Sequence, residues 1–70
     1  MTRRTQLLAV LMAMLDGEWR TLEQVSRITG APEASVSARL RDLRKAALGA
    51  WRVERERARS SGPFWYRVLP

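Results

Sequence analysis

Thirteen basic side chains against seven acidic ones give this 70-residue sequence a formal charge of +6, and every basic group except Lys45 is an arginine. They are unevenly spread. Arg39, Arg41, Arg44 and Lys45 fall in one short segment, and Arg55, Arg57 and Arg59 alternate with other residues in a second. A guanidinium presents a planar fork of donors that matches a phosphate or a guanine edge. The chemistry in view is therefore recognition of a polyanion, nucleic acid foremost. Catalysis is not in view, because the sequence holds no cysteine, no histidine and a single tyrosine. Without those groups general acid–base and nucleophilic work lack their usual agents, and metal ligation lacks its usual donors. No enzyme activity, catalytic residue, cofactor or metal site is expected.

A chain this short forms one domain, residues 1–70, that buries only roughly 60% of the surface its unfolded form exposes. The apolar run Leu7 to Leu15 is too short to span a bilayer and is not followed by the small-residue cleavage site of a secretory signal. Neither a membrane nor a small-molecule ligand is expected as partner, and the cytoplasm is the expected location.

The basic segments must be held by elements that the sequence punctuates clearly. A first helix is expected from Arg3 to Leu15, capped by Thr2 and stopped by Asp16-Gly17. Its apolar stripe would comprise Leu7, Leu8, Val10, Leu11, Met14 and Leu15. Ala9, Met12 and Ala13 lie on the other side, a surface suited to a homodimer, with Met12 its one large exposed group. Glu18-Trp19-Arg20 reads as a stub of strand. Thr21 to Gln24 forms a capping box, and a second helix runs to Thr29, burying Leu22, Val25 and Ile28. Gly30 ends it in a left-handed turn, and Pro32 fits the first position of a third helix.

The third helix is expected from Pro32 to Ala47, with Val36, Leu40, Leu43 and Ala47 as its buried stripe. Its outer face carries Ala34, Ala38, Arg41, Asp42 and Lys45, flanked by Ser35 and Ser37. After the connector Leu48-Gly49-Ala50, strands are expected at Trp51–Arg57 and Phe64–Leu69, joined by a turn containing Ser60, Ser61 and Gly62. Trp19, Trp51 and Tyr66 would knit the sheet to helices one and three, leaving Trp65 and Leu69 more exposed.

The order helix, strand stub, helix, helix, hairpin resembles a winged helix-turn-helix domain, an α+β, mainly α fold of three helices with a C-terminal hairpin wing. Ser26 stands as the small residue between helices two and three, Gly30 as the turn glycine and Val36 as the buried residue of the third helix. The run Ser35 to Leu43 looks like the recognition helix of MarR-like and ArsR-like repressors. Pro32 to Ser37, taken with Val53-Glu54-Arg55 and Tyr66-Arg67-Val68, is similar to small winged-helix proteins of phage and prophage genomes. The resemblance implies sequence-selective binding of double-stranded DNA by a small transcriptional or phage-development regulator, in the nucleoid or the cytoplasm of a phage host.

In such a fold helix 32–47 enters the major groove. Ala34, Ser35, Ser37, Ala38 and Arg41 then face the bases, with Arg41 the donor able to fork onto a guanine. Arg39, Arg44 and Lys45 would hold phosphates, and the wing, residues 55–62, would bring Arg55, Arg57 and Arg59 to the minor groove or its flanking phosphates. Glu33 would accept from a cytosine amine or simply favour its own helix dipole. Two other classes compete. A winged-helix protein–protein interaction module would use the apolar back of helix one, and a single-strand binder would stack bases on the aromatic residues.

Overall fold

The computed structural model describes residues 2–45, 51–57 and 60–70. Three helices, α1 (Arg3–Met14), α2 (Leu22–Thr29) and α3 (Glu33–Leu43), are joined to three strands, β1 (Arg20–Thr21), β2 (Arg52–Glu56) and β3 (Trp65–Leu69). The strands form one antiparallel sheet in the order β1-β3-β2. No helix among the described residues is long and apolar enough to cross a membrane.

Local chemistry sets the helix ends. The Thr2 hydroxyl accepts from the Thr5 amide at α1, and Leu15 caps its far end. At α2 the capping box closes in both directions: Thr21 Oγ1 accepts from the Gln24 amide at 3.1 Å, and Gln24 Oε1 accepts from the Thr21 amide at 3.0 Å. Gly30 ends α2 at φ 78°, a conformation that costs a residue with a Cβ about 1–2 kcal/mol. The turn is then pinned from both sides. Ser26 Oγ donates to the Ala31 carbonyl at 2.6 Å, and the Ala31 amide donates to Thr29 Oγ1. Pro32 stands just outside α3 as its N-cap, at φ −58° and ψ 150°, so the helix begins one residue later than its sequence suggests. The expected end of α3 at Ala47 and the connector Leu48-Gly49-Ala50 lie outside the described residues.

Val10, Met14, Val25, Ala31, Val36, Leu40, Leu43 and Val68 form the core, with Leu7, Leu11, Ala13, Leu22, Trp51, Val53 and Tyr66 packed against it. Several apolar expectations fail here. Leu8, Leu15 and Ile28 are 54%, 57% and 58% exposed. Three short helices and a small sheet cover only one face of each helix, narrower than the apolar stripe in the sequence. Ala13, expected outside, packs against the core instead. The strand stub begins at Arg20 rather than Glu18. Trp19 therefore lies beside the sheet with the Arg67 guanidinium over its ring at 4.7 Å, not among the core residues.

Asp42 is the main departure on α3. Expected on the outer face, it is buried, and it accepts two hydrogen bonds from Arg3 Nη2 at 3.1 Å and stands 3.2 Å from Lys45 Nζ. Burial pushes its carboxyl pKa up, but hydrogen bonds from Arg3 and Lys45 outweigh that and hold it below the ordinary range.

Candidate nucleic-acid interface

The β2–β3 register decides which arginines can meet α3. Val53 pairs with Val68 and Arg55 with Tyr66, while Glu54 pairs with Arg67 and Glu56 with Trp65. Side chains alternate across a strand, so Arg55 shares the face of Val53, Tyr66 and Val68, the face that packs on the helices. Glu54 and Glu56 take the other face, where Glu54 is bound by Arg52 and Arg67. Arg67 and then Arg52 hold the Glu54 carboxyl below its ordinary pKa.

The ribbon is tied back to α3 at its base. The Trp51 amide donates to the Leu43 carbonyl at 2.9 Å, and Arg44 Nη2 donates to the Val53 carbonyl at 3.3 Å. A cleft of about 100 Å³ results, lined by Ser37, Leu40, Arg41, Arg44, Val53, Arg55 and Tyr66. Three guanidinium groups, two from the helix end and one from the ribbon, thus border one opening. Among the described residues no carboxylate lines it.

Further along the ribbon, Phe64 carries two more contacts. The guanidinium carbons of Arg55 and Arg57 lie 4.4 and 4.2 Å from its ring centroid. Both distances fall within cation–π range. Arg57 also donates through Nη1 to the Ser60 carbonyl at 3.0 Å. Two long side chains are thereby held beside one ring, which reduces the rotamer freedom that binding would otherwise remove. Phe64 was expected as the start of the returning strand; parity brings it to the arginines, since residues 55, 57, 64 and 66 share a face in the hairpin register.

The remaining candidates are distributed differently. Ala34 is exposed on α3, and Ser35 and Ala38 are half-buried; none of the three lines the cleft. Arg39 turns inward toward α1, with its side chain 12% exposed. It donates to Gln6 Oε1 at 3.3 Å, and its Nε lies 3.0 Å from Asp42 in an orientation that makes no hydrogen bond. Lys45 pairs with Asp42 on the α1 side. Arg59 lies outside the described residues. Glu33 joins Glu23 in a neighbouring cleft of about 260 Å³, floored by Pro63, Phe64 and Tyr66. An acid in the first turn of α3 repels a phosphate from that helix end, which leaves Ser37, Arg41 and Arg44 as the better-placed contacts.

No protein-family model, curated protein or solved structure matches the chain.

Proposed function

We propose that this chain is a winged helix-turn-helix domain that binds double-stranded DNA with sequence selectivity, as a small regulator of transcription or of phage development. On this reading α3 lies in the major groove, and the β2–β3 ribbon is the wing that reaches the adjacent phosphates or minor groove. Arg41 reads a base edge, with Ser37 beside it. Arg44, Arg55 and Arg57 neutralise phosphates, which position the protein without specifying sequence. Arg39, occupied by Gln6 and Asp42, serves the join between α1 and α3 instead.

The observation that carries the proposal is the cleft in which Arg41 and Arg44 of the helix segment meet Arg55 of the ribbon, with no carboxylate lining it among the described residues. A solvated charge pattern has no need for that convergence; a polyanion running past both elements does.

A mobility shift with a duplex and with one of its single strands tests it. Retardation of the duplex at lower protein concentration than the single strand is expected. Preference for the single strand, accompanied by strong tryptophan quenching, would replace this reading with base stacking. Failure to retard either at low salt would favour a protein-docking module.

A further inference from the structure

The surface of α1 presents a feature that DNA binding does not use. Leu8, Met12 and Leu15 are 54%, 71% and 57% exposed. Their four- and three-residue spacing places them on one side of the helix. None of them lines the arginine cleft. A stripe of large apolar groups on so small a domain is unfavourable in water and marks a contact surface.

The charges at the ends of this helix indicate what covers it. Arg3 and Arg4 occupy the first turn, where the helix dipole disfavours cations, and no basic residue stands in the last turn to meet the C-terminal carbonyls. Arg3 is accounted for by Asp42, whereas Arg4 enters no ion pair among the described residues. Asp16 follows the other end. Arg4, Leu8, Met12 and Asp16 thus recur every four residues, basic at the start, apolar in the middle and acidic at the finish.

We propose that a second copy of this chain covers the stripe, through antiparallel two-fold pairing of α1 with α1. The sequence is self-complementary in that arrangement alone. Leu8 of each copy meets Met12 of the other, and Arg4 of each meets the negative end of the opposing helix and Asp16, which it shares with Arg20. A parallel pair would set Arg4 against Arg4. One helix pair makes a small interface, so association in the micromolar range is expected. The interface involves none of the residues assigned to DNA, and the pairing holds or fails independently of that assignment.

Sedimentation equilibrium of the full chain without DNA tests the pairing. A species of twice 8.0 kDa is expected at high micromolar concentration, dissociating on dilution. Met12→Glu should abolish it while leaving the circular dichroism spectrum unchanged. Arg4→Glu separates the antiparallel arrangement from a general stickiness. It places an acid in the first turn, so it should raise the melting temperature of the dilute monomer while weakening the dimer about tenfold. A chain that stays at 8.0 kDa to millimolar concentration leaves the stripe to some other protein and overturns the proposal. So does a dimer that survives Met12→Glu, or one that Arg4→Glu does not weaken.

Discussion

Arg44, at the C-terminal end of α3, donates through Nη2 to the Val53 carbonyl at 3.3 Å, and this bond joins the helix end to the ribbon. It fixes the spacing between the two arginine-bearing elements. A helix and a hairpin that moved independently would present their charges to DNA only at an added entropic cost.

Arg41 and Arg57 should fail differently. Arg41→Ala is expected to flatten discrimination between duplex sequences by about 1–3 kcal/mol, because a fork onto a base edge is lost. Arg57→Ala should weaken all duplexes alike and reduce the salt slope by about 1. Fluorescence anisotropy against a panel of duplexes separates the two. Equal losses across all sequences for both variants would remove the base-reading role of Arg41.

Phe64→Leu keeps an apolar side chain near the turn end of the ribbon but removes the ring beneath Arg55 and Arg57. Each exposed cation–π contact is worth about 0.5–1 kcal/mol, about 1–2 kcal/mol for the two, so duplex affinity should fall by up to about five- to thirtyfold. The far-ultraviolet circular dichroism spectrum should not change, which distinguishes lost pre-ordering from lost folding.

Asp42→Ala should lower the urea midpoint more than Glu23→Ala does. Asp42 has a side chain 8% exposed and gathers Arg3, Arg39 and Lys45, whereas the Glu23–Arg27 pair is open to water on both sides. Arg39, itself largely buried, would be left without its counter-charge.

How far the sequence disclosed this architecture depended on the range of each interaction. The Thr21–Gln24 box and the Gly30 turn are legible because every participant lies within a few residues. Asp42 was not. Beside Lys45 on an apparently outer face it reads as a solvated acid, and its partner Arg3 stands 39 positions away. Apolar spacing identified the helices but not the width of the face that other elements cover, hence the exposure of Leu8, Leu15 and Ile28. For the candidate interface, the alternation of Arg55 and Arg57 was visible, while their meeting on Phe64 required the hairpin register.

Stability should be insensitive to pH through neutrality and fall in acid. With no histidine, no side chain titrates near pH 7 at its ordinary value. The hydrogen bond from Arg20, reinforced by the Glu18 amide, lowers the Asp16 pKa to about 2, and those of Asp42 and Glu54 also lie below their ordinary values. The folded form therefore binds these protons less tightly than the unfolded chain does. Their contribution is complete above the ordinary carboxylate range and is lost as pH falls through the folded values, toward about 2 for Asp16. Thermal melts from neutral pH into acid check this. Asp16→Asn should shrink the acid limb.

On the proposed reading, guanidinium groups of α3 and the ribbon neutralise DNA phosphates together, and the salt dependence of duplex binding measures this most directly. With Arg44, Arg55 and Arg57 each neutralising one phosphate, a plot of log affinity against log salt should fall with a slope of about −3. Binding that does not change with salt, or its absence at low salt, would contradict the account.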